Sequence, residues 1–489
     1  MKKLYAFLGV MSLVLMLNGC KGLINGYDID PVNITDPSVI DIKQYLSGAQ
    51  VNLIGVYEGD MNRLTGMWTG HFSGEDRQYV PLSNYVVTAR DFNNQWTTMY
   101  TNVLANLNLI KEKSIAVNNM RALGIAQVMQ AMTLGLAADL FGDVPYSEAL
   151  QYPIITTPKY DTQATVYAGV QAILDSAIIN LAKEVANAAD PKNADIFFNG
   201  DGQKWIQVAN TLKARYYLHT KDYANAVKYS DPALAISSAS DNMLAPHGDG
   251  YQQTFNLFYS FLVYDRSGYM AGNGFAAQLL DANTDISRNN AKTNEEARLN
   301  YYYLPDDGFY DVNYLWSSDF GNAPDEDGFF GAVTSFPMVT FEENMLIRAE
   351  AYAKQNEFAN ALDALNTLRA YYNTGANLNA SYPEDYGLLY APYIATDFAP
   401  GGIENTDNIT ANAALLREII EERYISLTGQ LEVFNDVRRT DNLLGVPIKS
   451  GASELPQRLL YPQAEINANS ANVPSVTLYT ATTTNSSPY

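Results

Sequence analysis

From Trp68 to Tyr79 the chain reads Trp-Thr-Gly-His-Phe-Ser-Gly-Glu-Asp-Arg-Gln-Tyr, a stretch without helical periodicity in which rings, glycines and hydrogen-bonding groups alternate. A sugar ring is bound by stacking on an aromatic face while donors and acceptors meet its edge, and Trp68, Arg77 and Tyr79 have the chemistry for both. A later aromatic run, Phe309, Tyr310, Tyr314 and Trp316, adds Tyr310 and Trp316 as candidate ligand contacts. Core packing is the commoner fate of any single ring, and Trp96 and Trp205, which fall in helical patterns, are expected in the core.

Catalysis leaves a different signature, and it is missing. With 53 acidic residues any two carboxylates can be paired on paper, so an acid and base for glycoside cleavage cannot be picked out. His71, His219 and His247 show no metal-ligand spacing, and there is no Gly-x-Ser-x-Gly elbow or phosphate-cradling glycine loop. Asp325-Glu326-Asp327-Gly328 lacks the alternation and closing glutamate of an EF-hand loop and reads as a solvated acidic loop. No catalytic residue, metal or cofactor is expected. Glu421, Glu422, Arg423, Arg438 and Arg439 are expected to form an ion-pair network within a helical pair.

One residue marks location. Lys2 and Lys3 precede an apolar run from Leu4 to Leu17, which at roughly 1.5 Å per helical residue covers about 21 Å, short of a bilayer core of about 30 Å. The run ends at Leu17-Asn18-Gly19-Cys20, which looks like the lipobox where bacterial lipoproteins are cut and acylated, and makes Cys20 the expected lipidation site. Cys20 is also the only cysteine, so no internal disulfide or thiolate metal site can form and stability must come from a core. No later apolar stretch is expected to span a membrane.

Loss of the two leader lysines takes the formal charge from −22 to −24, a field that repels phosphate backbones and excludes nucleic acid as a partner. Such a surface has no electrostatic affinity for anionic lipid either, which leaves membrane attachment to the acyl chains. The 35 tyrosines and 4 tryptophans, against a charged fraction of only 17%, point to contact by ring faces.

These residues must be positioned by a mainly α framework. After a signal over residues 1–19 and a Gly-, Asn- and Pro-rich tether over 20–37, a single domain runs from 38 to 489. Its first helix shows apolar positions at Ile42, Tyr45, Leu46, Ala49, Leu53, Val56 and Tyr57. Similar patterns cover about 92–113, 119–141, 162–187, 204–221, 340–372 and 410–439. Small and aromatic residues recur at offsets of three, nine and twelve: Ala137, Leu140, Tyr146, Ala149; Ala214, Tyr217, Tyr223, Ala226; Ala349, Tyr352, Phe358, Ala361. This spacing resembles the tetratricopeptide pattern and predicts helical hairpin units over about 119–229 and 340–440. Loop-rich insertions fill about 230–335 and 373–408, and their aromatic content argues for ordered functional loops.

Taken in order, several segments resemble the SusD/RagB family of outer-membrane nutrient-binding lipoproteins, in its SusD-like branch from Bacteroidetes. They are the lipobox at Cys20, Ala137-Ala138-Asp139-Leu140-Phe141-Gly142-Asp143-Val144-Pro145-Tyr146, Trp205 to Asn210 with Leu212 to Arg215, Phe341 to Tyr352, Glu421 to Arg439, and Leu460 to Asn469. The resemblance implies a tetratricopeptide-like helical scaffold carrying a loop-rich ligand-binding half. It also implies a lipid-anchored, surface-exposed receptor, not an enzyme, that captures an oligosaccharide and delivers it to a SusC-like TonB-dependent transporter; peptide binding and a pure protein-interaction scaffold are the alternatives. Many surface-exported relatives carry an acidic run just after the lipidated cysteine, whereas Lys21-Gly22-Leu23-Ile24-Asn25-Gly26 intervenes here before Asp28.

Overall fold

The computed structural model describes residues 41–184, 191–251, 253–321 and 323–489; the leader, Cys20 and the tether lie outside them. Twelve helices carry the frame: α1 (Ile42–Glu58), α2 (Asp60–Trp68), α3 (Ala105–Ala116), α4 (Met120–Phe141), α5 (Gln163–Leu181), α6 (Gly202–His219), α7 (Tyr223–Tyr229), α8 (Glu296–Tyr302), α9 (Phe341–Lys354), α10 (Phe358–Tyr372), α11 (Ala411–Ser426) and α12 (Glu432–Arg439). Most begin where a short polar side chain can satisfy a free amide of the first turn. Asp41, Asn119, Thr162, Asp201, Asp222, Thr340 and Thr410 accept in this way at the starts of α1, α4, α5, α6, α7, α9 and α11.

Consecutive helices pair, α4 with α5, α6 with α7 and α9 with α10. Small residues let them approach. Ala214 and Ala226 are fully buried with Leu218, Ile347 and Ala351, and the half-buried Tyr217 and Tyr223 pack against them. Ala349 and Ala361 are likewise sealed, with Tyr352 and Phe358 beside them. Gly135 does the same for α4 on α6, because a Cβ there would sit 2.2 Å from the Tyr216 ring. The first repeat differs. Beyond Phe141 the chain makes a bridge between Val144 and Asp161, whose carboxylate accepts from the amides of Tyr146 and Ser147, and α5 begins only at Gln163.

Two helices, α4 and α5, are long and apolar enough to cross a membrane by length and composition, contrary to the expectation that no later stretch would be. Within the window that meets the test, α4 is 89% buried in this layer. The outward face of α5 carries Ala164, Thr165, Asp175 and Ser176. Hydropathy alone does not separate a core helix from a spanning one.

The layer is laced by buried charge. Arg215 on α6 donates from Nε and Nη2 to Glu343 on α9, at 2.6 Å each, and lies 3.4 Å from Glu432 on α12. His219 bridges Asp139 on α4 at 2.8 Å and Glu432 at 3.0 Å. Arg439 holds Glu350 and Asp436, and Arg423 also donates to Asp436. The late acidic pair departs from expectation. Glu421 and Glu422 take Arg288, and Glu422 also Arg298, so they tie α11 to the loop-rich half. Arg438 donates to the carbonyls of Phe434, Asp139 and Gln457 and, among the described residues, pairs with no carboxylate; burial brings its pKa down to about 10.

That loop-rich half is stapled by four short antiparallel pairs. β1 (Ser73–Gly74) joins β3 (Met270–Ala271), β2 (Met243–Ala245) joins β7 (Phe336–Val339), β4 (Thr293–Asn294) joins β8 (Leu389–Tyr390), and β5 (Tyr303–Asp306) folds back on β6 (Phe309–Val312).

Candidate functional site

α2 delivers Trp68 into the core, not to the surface. The ring is 0% exposed, donates its indole N–H to the Leu82 carbonyl at 2.8 Å, and meets Tyr85 and Phe434 edge-on. No face is left for a ligand. Gly70 then turns the chain at φ +76°, and His71 is buried with Nε2 3.0 Å from the Tyr424 carbonyl. Burial lowers the His71 pKa to about 4, so the imidazole is neutral and acts as a structural donor.

The β1–β3 pairing carries the segment outward again. Ser73 and Gly74 pair with Ala271 and Met270, and the Glu75 amide donates to the Tyr269 carbonyl at 2.8 Å. Arg77 is thereby held with its guanidinium 5.6 Å from the Tyr269 ring centre, and Tyr79 stands 5.0 Å from the Phe261 ring and 6.0 Å from that of Tyr269. Tyr79 lines an open cleft of about 520 Å³ with Asp60, Arg63, Gln78, Phe261 and Arg266. Arg63 is paired with Asp60 and lies 4.4 Å over the Phe261 ring. Burial raises the Tyr79 pKa despite Arg63, which keeps its hydroxyl protonated as a donor. An aromatic floor with charged and amide groups around it is the arrangement that a polyhydroxylated ring requires.

The segment that supplies Phe261 and Asp265 to the cleft also supplies Tyr264 to a shelf of rings. Asn256 caps a turn of helix at Leu257–Tyr259, and the chain then widens into a π-helical stretch at Ser260–Asp265. Such stretches occur often at functional sites because the extra residue re-aims its neighbours. Here Phe261 enters the cleft, and Tyr264, three residues on, joins the shelf. Phe255 and Tyr259 form the shelf's buried base. Tyr264 lies nearly parallel to Phe255 at 6.0 Å, Trp316 is 5.4 Å from Phe255 and 5.8 Å from Tyr259, and Tyr251 stands 5.3 Å from Tyr264. Tyr251 is 64% exposed, while Tyr264 and Trp316 are half-buried and retain solvent-facing surface. The Tyr259 hydroxyl donates to Asp319, which fixes the loop after Trp316 against the base.

Tyr310 is elsewhere. It is 3% exposed on β6 and donates its hydroxyl to Asp281 at 2.6 Å, a bond that helps hold the phenol protonated. Of the five candidates, Tyr79 lines the cleft and Trp316 belongs to the shelf, Arg77 lies against the Tyr269 ring outside both, and Trp68 and Tyr310 are core. Sequence patterning misses Tyr251, Phe261 and Tyr264 at this site, although the unusual density of rings from Tyr251 to Tyr269, in a stretch of weak helical periodicity, is a usable signal. In the acidic loop, Glu326 accepts from the Ala323 amide at 2.7 Å and Asp327 from that of Ser317 at 2.6 Å, so those carboxylates shape the loop itself.

Comparison with known proteins places these features. The SusD-like family model described as "Starch-binding associating with outer membrane" matches residues 34–462. A SusD/RagB family protein from Bacteroides thetaiotaomicron superposes with a TM-score of 0.65 at 23% identity, over 88% of this chain and 95% of that one. A SusD homologue from Bacteroides uniformis gives 0.59 at 22% over 88% and 94%, and a chitin-binding SusD homologue from Flavobacterium johnsoniae 0.61 at 17% over 88% and 94%. Among curated proteins nothing matches.

Proposed function

Because the chain belongs to the SusD-like family of starch-binding proteins that associate with the outer membrane, we propose that it is a glycan receptor whose site is the shelf of Tyr251, Tyr264 and Trp316 together with the cleft at Tyr79. The observation that carries this reading is the shelf itself: three rings with solvent-facing surface held on a buried aromatic base, joined through one segment to a cleft with polar walls. Stacking fixes the plane of a sugar and the cleft's amides and guanidinium groups meet its hydroxyls, so binding leaves every covalent bond of the ligand intact.

Acylation at Cys20 would hold this receptor at the outer membrane, on the cell surface, and a SusC-like TonB-dependent transporter would take the captured oligosaccharide onward. Support for the partnership comes from family membership. The test of the site is calorimetric titration with starch- and chitin-derived oligosaccharides. Trp316→Ala and Tyr264→Ala are each expected to weaken binding about ten-fold, a loss of roughly 1.4 kcal/mol, with native circular dichroism. Undiminished binding in both removes the shelf from the site. Accumulation of cleaved product on prolonged incubation would make the protein a hydrolase instead.

A further inference from the structure

A second pocket, of about 260 Å³, shares no lining residue with the cleft or the shelf. Five rings line it among polar side chains: Phe329 and Tyr371, both half-buried, and the more deeply buried Tyr301, Tyr302 and Tyr372. Phe329 meets Tyr301 and Tyr302 edge-on at 5.6 Å and 5.0 Å, and Tyr371 lies 5.7 Å from Tyr372, so the rings brace one another. Set among them is one carboxylate, Glu342, in the first turn of α9.

Glu342 has neutral polar neighbours. The Asn242 amide lies 3.4 Å from Oε2, with Thr340 and Tyr371 close by, and burial raises the carboxyl's pKa, so a bound cation would have to draw it into its charged form. Among the described residues no ion pair includes Glu342; the α9 amide end supplies only about half a unit of opposite charge. Arg298, whose guanidinium is 5.0 Å from the Tyr372 ring centre, is committed to Glu295 and Glu422.

Rings present a negative face, so rings set around an uncompensated carboxylate attract a cation that can also be desolvated. Neutral polar groups already surround Glu342, which favours a cation that needs no hydrogen bond from it. We propose that this pocket binds a small methylated ammonium compound, its charge opposite Glu342 and its methyl groups against Phe329 and Tyr371. Such a ligand would bind alongside a glycan and independently of it.

Choline and its uncharged carbon isostere, dimethylbutanol, test this by calorimetry on the folded protein. Choline is expected to bind at least about ten-fold more tightly than the isostere. Glu342→Gln, which keeps the shape and removes the charge, should bring choline down to the isostere's level, and Trp316→Ala should leave choline binding unchanged. Equal affinity for the two compounds, no heat with choline, a preference that survives Glu342→Gln, or loss of choline binding in Trp316→Ala would each overturn the assignment. If Glu342→Gln does not fold, Phe329→Ala decides: a loss of about ten-fold for choline supports the pocket, and unchanged binding refutes it.

Discussion

Replacing Trp68 with alanine separates a structural ring from a binding ring. The side chain is fully enclosed, so truncation opens a cavity, and large aromatic-to-alanine changes in a core cost about 3–5 kcal/mol. The Leu82 carbonyl also loses the indole donor at 2.8 Å, which adds about 1 kcal/mol. Together the expected loss is roughly 4–6 kcal/mol, with the edge contacts to Tyr85 and Phe434 already counted in the first figure. Half-buried Trp316 should lose only about 1–2 kcal/mol on the same change, because much of its ring area already faces water. Urea denaturation followed by far-ultraviolet circular dichroism reads both numbers. Oligosaccharide titration, run well below either midpoint, reads binding. Trp68→Ala is expected to be much less stable and still to bind; Trp316→Ala should be nearly as stable as the parent and bind poorly. The reasoning fails if Trp68→Ala unfolds like the parent, or if it loses ligand while still fully native.

Three further outcomes follow from the buried charges and the close helix contacts. Burial alone would lower the His219 pKa, but Asp139 and Glu432 raise it to about 9. Its contribution is therefore complete below the ordinary value of about 6.5 and disappears as pH rises towards 9; relative to His219→Gln, the parent should lose about 3 kcal/mol across that interval in pH-dependent denaturation. On α11, burial and Glu404 push the Glu418 carboxyl well up despite Arg288, whereas Arg288 and Arg298 overcome burial and hold Glu422 well down. Glu422 thus contributes stability only above the carboxylate range: at neutral pH Glu422→Gln should cost about 3 kcal/mol, and Glu418→Gln, whose charged form burial disfavours, should cost less. Gly135→Ala forces a methyl to within 2.2 Å of the Tyr216 ring and should cost about 1–3 kcal/mol by thermal unfolding, with no change in the affinity for glycan.

Local signals carried far along this chain, and their limits are physical. Asp41, Thr162, Asp201, Thr340 and Thr410 mark helix starts because a cap acts within one turn, and the Ala214–Ala226 and Ala349–Ala361 spacings mark helix pairs because close approach needs small residues at fixed offsets. Trp68 and Trp316 could not be told apart in this way. What encloses Trp68 is Tyr85 and, from α12, Phe434, whereas Trp316 rests on Phe255 and Tyr259 and stays half-buried. Tyr264 reaches the shelf through a π-helical register that a 3.6-residue period does not describe. The fates of Glu421 and Glu422 were set by Arg288 and Arg298, more than 100 residues earlier, in a stretch with weak periodicity of its own.

The lacing of the helical layer constrains how the molecule assembles. A solenoid of repeats can grow one unit at a time, each new pair of helices docking on a finished face. Here Arg215 waits for Glu343, 128 positions downstream, and His219 waits for Glu432, 213 positions downstream. Removing Arg215 from water before Glu343 arrives would leave an uncompensated charge indoors, a penalty of several kcal/mol, whereas His219 already has Asp139 behind it in the chain and gains its second carboxylate only with α12. The seam therefore closes in steps, Arg215 on Glu343 when α9 docks and His219 on Glu432 when α12 does, and it is complete only once the last helix is in place.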